Sequence, residues 1–229
     1  GNERNIVTDI AGTTRDSVHT HFNLYGFDFE LIDTAGLRRK KQIEDQLEFY
    51  STVRTIRSIE QSDVCLLLID AQNGMERQDQ AIFWQVVNSY RGVVILVNKW
   101  DLIEKDHQTM KTFEAAIRER IAPFTDVPIL FTSNLTKQRI LKAFEEAMEV
   151  YENRNYKIPT SQLNDFLLPI IQNQPPPMYK GKMVRIKYVT QIKSQTPTFA
   201  FYCNLPQYIK DSYKRFLENH IRSEWDLSG

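Results

Sequence analysis

Two short apolar runs, at residues 64–69 and 93–97, limit the fold of this 229-residue chain more than any other feature of its sequence. Neither run is interrupted by a polar residue, which is the pattern of strands buried on both faces of a parallel sheet. A helical pattern at residues 77–90 lies between them, and parallel strands need a crossover of that kind. The runs therefore predict neighbouring strands of an α/β domain.

The alternation of strands and helices continues on both sides of these runs. Polar and apolar residues alternate at residues 18–24, Tyr25-Gly26 is a turn signal, and a second strand pattern follows at 27–32, which together predict a β-hairpin. The other expected elements are helices at 44–61, 109–121 and 140–151 and a strand at 127–131. The series is typical of a doubly wound, mostly parallel sheet.

A second, smaller domain is expected after a linker at residues 153–159, where the composition changes. Ser161 is predicted to cap a helix that ends at Gln172, before three consecutive prolines that cannot continue it. The remaining expected elements are strands at 182–189 and 198–203 and a helix at 207–223. We therefore expect an α/β domain over residues 1–153 and a small α+β domain over residues 154–229.

Charge is divided unevenly between these two parts, although the whole chain is neutral. Residues 1–153 hold 18 Lys and Arg against 24 Asp and Glu, whereas residues 154–229 hold 11 against 5. The excess of positive charge favours a polyanion as the partner of the second part. A chance scatter of solvated charges is the alternative.

Other features limit the class of protein. No apolar run approaches the roughly 20 residues that span a bilayer, and the first residues carry no secretory signal. Cys65 and Cys203 are isolated thiols rather than a disulfide framework, which is typical of a reducing compartment. We expect a cytoplasmic protein that has no membrane partner and acts as a monomer.

The most specific motif, Asn98-Lys99-Trp100-Asp101, directly follows the second apolar run. The carboxylate of Asp101 can accept hydrogen bonds from the N1–H and the N2 amine of guanine, a donor pair that adenine lacks. Asn98 can bond N7 or tie the loop, and the aliphatic stem of Lys99 can cover the base. Trp100 is expected to pack in the core. The motif predicts a guanine site, and an ordinary surface turn is the alternative.

Three further segments carry groups suited to a nucleotide. A threonine hydroxyl in Gly-Thr-Thr-Arg-Asp, residues 12–16, is a hard oxygen ligand suited to Mg²⁺. At the end of the hairpin, Asp33 can hold Mg²⁺ and Gly36 lets a backbone N–H approach a γ-phosphate. The segment 132–134, after the last predicted strand, offers a backbone N–H to the guanine carbonyl. Each segment taken alone could be an ordinary turn.

In this order and at strand ends, the four motifs resemble those of the translation-factor-related GTPases, and among them the second GTPase domain of the Der (EngA) family of bacterial ribosome-assembly GTPases. Residues from Tyr156 onward resemble the C-terminal KH-like domain of that family. The resemblance implies a P-loop GTPase fold and a GTP-binding, GTP-hydrolysing protein of large ribosomal subunit assembly. It also implies GTP or GDP, Mg²⁺ and K⁺ as ligands and large-subunit rRNA as a partner.

The resemblance further implies roles for single residues. Thr14 and Asp33 would hold Mg²⁺, and these two residues with Gly36 would form the catalytic set. The loop that holds a potassium ion in related GTPases would contain Thr8, Ile10 and Thr13. The nucleotide would be contacted by Asp33, Thr34, Ala35, Gly36, Asn98, Lys99, Asp101, Thr132, Ser133 and Asn134.

Leu37 stands where many GTPases have a glutamine that orients the attacking water. Because an apolar side chain cannot orient water, hydrolysis would depend on Mg²⁺, on K⁺ in place of an arginine finger and on backbone groups. A slow intrinsic rate is therefore expected.

The chain also departs from the family pattern. No GxxxxGK[ST] phosphate loop precedes Gly12, so we expect a GTPase domain without its first strand and phosphate loop. The second domain has no GxxG loop, and we expect it to lack its last strand. Two other functions stay open: a tRNA-modification GTPase, and a non-catalytic module that binds ribosomes or RNA.

Overall fold

The computed structural model describes residues 18–33, 55–104, 106–124 and 126–229. The structure divides into two compact units, one ending at Met148 and one beginning at Glu149. Within the described part of the chain, none of the helices combines the length and the apolar character that a membrane span requires.

The elements up to the long helix at the boundary alternate between strands and helices. In chain order they are β1 (Val18–Leu24), β2 (Phe27–Asp33), α1 (residues 55–61), β3 (Val64–Asp70), α2 (Arg77–Asn88), β4 (Gly92–Asn98), α3 (Thr109–Ile121), β5 (Ile129–Phe131) and α4 (Ile140–Asn155). Part of the predicted helix at 44–61 lies outside the described residues. The other elements confirm the predicted series.

A three-stranded parallel sheet, in the order β3-β4-β5, forms the centre of the first unit. Every residue from Gly92 to Val97 is buried, and Val93, Ile95 and Val97 join a core cluster with side chains of α2 and α3. Successive side chains of a strand point to opposite faces, so the burial of Val94 and Leu96 means that both faces of β4 are covered. The α/β fold class with a parallel sheet is confirmed.

The hairpin of β1 and β2 is antiparallel, as predicted. Its turn residues Tyr25 and Gly26 both have positive φ, 57° and 83°, which a two-residue type I′ turn requires. One face of the hairpin is aromatic: the rings of Phe22 and Phe29 stack, and both lie within 5.3 Å of the Phe144 ring on α4. This contact packs the hairpin against α4 within the first unit.

The second unit is a small α+β fold that continues with α5 (Thr160–Asn173), β6 (Ile186–Ile192), β7 (Thr198–Cys203) and α6 (Asp211–Glu224). The two strands pair antiparallel, and the two helices pack on one face of the pair. The buried core consists of Ile158, Leu163, Leu167, Ile171, Ile186, Val189, Tyr213, Leu217 and Ile221.

Two predicted boundaries near the junction of the units are wrong. Helix α4 runs to Asn155, whose side-chain amide donates to the carbonyl of Tyr151 (2.8 Å), so part of the predicted linker is helical. Ser161 does not cap α5, because the helix already begins at Thr160 with Pro159 at its N-cap.

Two predicted strands begin later than expected. Strand β5 starts after Pro128, which has no N–H to give to a ladder. Strand β6 starts at Ile186 because Lys182 pairs with Tyr179 across a tight turn, through N–H to carbonyl bonds of 2.9 and 3.1 Å.

One side chain joins α5 to the outer edge of β6. The Asn164 amide nitrogen donates to the carbonyls of Thr160 (2.7 Å) and Val189 (2.8 Å), and the Asn164 amide oxygen accepts the N–H of Val189 (2.9 Å). Val189 is fully buried, so no water replaces these bonds readily. Asn164 therefore satisfies both backbone groups of Val189 as a neighbouring strand would.

We expect Asn164→Ala to lower the free energy of unfolding of the second unit by about 2–4 kcal/mol, because a buried N–H and a buried carbonyl lose their partner. Urea denaturation, with hydrogen exchange at the Val189 amide, measures this. The control is Gln162→Ala, an exposed position on the same helix, which should cost less than about 0.5 kcal/mol. Equal effects of the two substitutions would contradict the role of Asn164.

Candidate functional site

The segment after β4 turns sharply as soon as the strand ends. Asn98 is the last strand residue, Lys99 has the left-handed conformation (φ 60°, ψ 32°), and Trp100–Leu102 forms a single 3₁₀ turn. The Cβ atom of any residue other than glycine makes the left-handed conformation uncommon, so the neighbouring structure must hold Lys99 in it.

Backbone bonds from both neighbouring strands hold this turn. On the β3 side, the N–H of Ala71 donates to the carbonyl of Asn98 (2.9 Å). On the β5 side, the N–H of Trp100 donates to the carbonyl of Thr132 (3.0 Å), and the N–H of Thr132 donates to the carbonyl of Val97 (2.8 Å). The parallel ladder therefore continues past the ends of the strands and fixes the loop.

Trp100 anchors the same turn in the core of the first unit. Its side chain is 2% exposed and packs against the rings of Phe113, 5.2 Å away between centroids, and Phe131, 4.4 Å away. The prediction that Trp100 is a packing residue is confirmed. Because Asp101 is the next residue, the buried indole of Trp100 restricts the position of the Asp101 backbone.

The Asp101 side chain is half-buried, and its carboxylate makes no hydrogen bond or ion pair with any residue that the structure describes. The neighbouring carboxylates differ. Asp70 forms an ion pair with Lys99, and Asp106 accepts the N–H groups of Gln108 (2.8 Å) and Thr109 (2.6 Å) at the start of α3. These hydrogen bonds hold the pKa of Asp106 below its ordinary value. The largest contribution comes from the Thr109 hydroxyl, and the two backbone N–H groups add to it. Asp101 thus keeps its acceptor oxygens available.

The loop after β5 lies beside this turn. Thr132 and Ser133 are buried and Asn134 is exposed. The N–H of Asn134 donates to the side-chain oxygen of Asn98 at 3.3 Å, and the Ser133 hydroxyl accepts the N–H of Thr136 at 3.1 Å. The structure therefore brings the two predicted base-binding segments together at one edge of the sheet.

Asp70, which belongs to none of the predicted motifs, also lies in the site: its carboxylate oxygen is 2.6 Å from the ammonium nitrogen of Lys99. The prediction ended the strand at residue 69, yet the structure pairs Asp70 with Asn98 in parallel register. The sequence does contain a signal for this contact. A carboxylate at the end of one strand and a lysine just after the neighbouring parallel strand lie at the same edge of the sheet, where their opposite charges can pair.

Several predicted site residues cannot be placed in this way. Asp33 is the last residue of β2. The other predicted phosphate, Mg²⁺ and K⁺ residues lie outside the described residues: Thr8, Ile10, Thr13, Thr14, Thr34, Ala35 and Gly36. Their roles stay predictions.

Comparison with protein-family models gives one match in each part of the chain. Residues 1–99 match the family described as 50S ribosome-binding GTPase. Residues 157–229 match the family described as KH-domain-like of EngA bacterial GTPase enzymes, C-terminal. The two matches fall in the two parts that the sequence analysis separated.

Curated relatives extend the similarity to the whole chain. A Flavobacterium psychrophilum protein named GTPase Der is 58% identical over 229 residues, which is 100% of this chain and 52% of the relative. A Bacteroides fragilis protein of the same name is 59% identical over 231 residues, which is 53% of that relative. The resemblance to Der is confirmed, and the chain spans about half the length of the curated relatives it matches.

A solved structure supports the fold. The crystal structure of Era in complex with MgGDPNP and a segment of 16S ribosomal RNA has a TM-score of 0.55 and 20% sequence identity, and the match covers 96% of this chain and 79% of the Era chain. At that identity the likeness concerns the fold alone.

We expect Trp100→Ala to lower the free energy of unfolding of the first unit by about 3–5 kcal/mol, because it leaves a cavity between two phenylalanine rings. Leu102→Ala is the matched control in the same 3₁₀ turn, because Leu102 is 54% exposed, and it should cost less than about 0.5 kcal/mol. Urea denaturation of both variants measures the difference. A loss below 1 kcal/mol for Trp100→Ala would show that the indole does not anchor the turn.

Proposed function

We infer that this chain, which belongs to the GTPase Der family, binds guanine nucleotides and contributes to GTP hydrolysis in a full-length protein that acts in large ribosomal subunit assembly. One observation carries the nucleotide part of this proposal. The Asp101 carboxylate has no partner among the described residues, and it stands where the loops after β4 and β5 meet.

The geometry suits a purine base rather than a general anion. Ligands of open α/β sheets bind outside the carboxyl ends of the strands, where Asn98, Asp101 and Asn134 lie. Guanine presents two adjacent donors whose hydrogen bonds a carboxylate can accept. The guanine carbonyl can in turn accept a hydrogen bond from a backbone N–H of the loop after β5. Adenine would leave the Asp101 carboxylate without those donors, which is unfavourable in a half-buried position.

The proposed phosphate and metal functions belong to residues before the hairpin, at its end and after it in the sequence. Thr14 offers a hydroxyl and Asp33 a carboxylate at the end of β2, and hard oxygen ligands of this kind fit Mg²⁺. In such sites Mg²⁺ supplies neutralisation of charge on the transferred phosphoryl group. Gly36 would bring a backbone N–H to the γ-phosphate, and Thr8, Ile10 and Thr13 would line a potassium site. Leu37 gives no polar atom to orient water.

The second unit is proposed to contact the ribosome through phosphate groups. The rings of Tyr188 and Tyr202 lie 5.6 Å apart and are 44% and 55% exposed, and Lys187 is exposed beside them. The ammonium of Lys180 lies 5.5 Å from the centre of the Tyr179 ring. Lysines bind phosphates and exposed tyrosine rings can stack on unpaired bases, so these two groups of side chains suit contacts with RNA.

The alternative functions find less support. No specific observation favours a tRNA-modification GTPase, and the match of residues 157–229 to the KH-like family favours Der. A non-catalytic module would bind ribosomal RNA without binding guanine nucleotide. Competition with labelled GDP on this chain joined to its own phosphate-loop segment distinguishes such a module from the proposed function, because unlabelled GTP should displace the GDP and ATP at the same concentration should not. No binding of GDP would favour the module.

We expect Asp101→Asn in the full-length protein to shift preference from guanine to xanthine nucleotides by more than tenfold, because the substitution replaces an acceptor by a donor and xanthine presents the complementary acceptor. Calorimetric titration with GDP and XDP measures the two affinities. Glu104→Gln is the control, since it removes a nearby exposed carboxylate three residues later and should leave both affinities unchanged. An unaltered GDP to XDP ratio in Asp101→Asn would remove the assigned role.

We expect a double substitution of Lys180 and Lys187 to Gln to lower the slope of log affinity against log salt by about 1.5 for large ribosomal subunits, because each lysine–phosphate contact releases a counterion. Filter binding between 50 and 300 mM salt would measure it. The control replaces Lys210 and Lys214, which are exposed on or beside α6, by Gln. An identical loss of slope in both variants would mean a general charge effect rather than a defined surface.

A further inference from the structure

Asp70 lies outside the four predicted nucleotide-binding motifs, yet it contacts one of them. Its carboxylate lies 2.6 Å from the Lys99 ammonium, with side chains that are 27% and 48% exposed. We propose that Asp70 is a positioning residue for guanine recognition, which holds the ammonium so that the aliphatic stem of Lys99 stays alongside the base position. This inference rests on the proposed function, since the stem has nothing to cover unless a base binds.

Asp70 is itself fixed by the turn that it begins. Its Oδ1 accepts the N–H of Gln72 (2.9 Å), and its backbone carbonyl accepts the N–H groups of Asn73 (3.1 Å) and Gly74 (2.9 Å). The parallel register places Asp70 opposite Asn98, one residue before Lys99. With Oδ1 committed to the turn, Oδ2 is directed at the lysine.

This arrangement prepares Lys99 before a ligand arrives. A long, flexible lysine side chain loses much rotamer freedom when a ligand orders it, and an existing ion pair removes part of that loss. The left-handed backbone of Lys99 is already set by the neighbouring strands, so the ion pair adds the restraint on the side chain. A lysine without this partner would also offer a competing donor to Asp101, two residues along the chain.

The test uses the full-length protein and Asp70→Asn, which keeps the side-chain volume and the oxygen that accepts the Gln72 N–H but removes the charge. We expect the dissociation constant for GDP, measured by calorimetry, to rise about fivefold, equivalent to about 1 kcal/mol. The turnover of saturating GTP should not change, because Asp70 acts at the base and not at the phosphates. Asp63→Asn, just before the other end of β3, is the control and should leave GDP affinity unchanged.

A double-mutant cycle separates positioning from a merely structural role. In a Lys99→Met background, Asp70→Asn should have no further effect on GDP affinity, because Lys99 is the group through which Asp70 acts. A fivefold loss in both backgrounds, or no loss in either, would overturn the inference. An unaltered GDP to XDP preference in Asp101→Asn would instead overturn the proposed function, and this inference with it.

Discussion

The parallel pairing of β4 with β3 on one side and β5 on the other is the constraint on which the site depends. Its backbone bonds continue past the strand ends, through Ala71 to Asn98 and through Trp100 to Thr132. Burial of both faces of β4 makes that register costly to change, because a shift would move every side chain away from the neighbours against which it packs. The loop that carries Asp101 therefore takes its position from the centre of the sheet.

The residues of this loop differ in their side-chain contacts. Trp100 fills the core under the turn, the Asn98 side chain accepts an N–H of the loop after β5, and Lys99 pairs with Asp70 at the end of β3. Asp101 is the member of the motif whose carboxylate has no partner among the described residues. The neighbours of Asp101 are held in place before a ligand binds, while its carboxylate can still accept hydrogen bonds. Such preorganisation lowers the free-energy cost of binding a base that brings two donors.

The sequence predicted the fold well where a pattern has one physical meaning. Unbroken apolar runs predicted β3 and β4. The alternating residues on both sides of Gly26 predicted the hairpin, because glycine accepts the positive φ that the turn requires. Details set by tertiary contacts were less predictable. The delayed start of β6 depends on the Tyr179–Lys182 pairing, and the Asp70–Lys99 ion pair needs the register of two strands that are distant in sequence. Periodicity carries no information about either contact.

The proposed role of this site depends on the recognition of guanine by Asp101, and a crystal structure of the full-length protein with GDP tests that recognition most directly. We expect both carboxylate oxygens of Asp101 within about 3 Å of N1 and N2 of the base. We also expect the stem of Lys99 to lie along the ring. A base held by another carboxylate, or an Asp101 side chain turned away from the carboxyl edge of the sheet, would contradict the account.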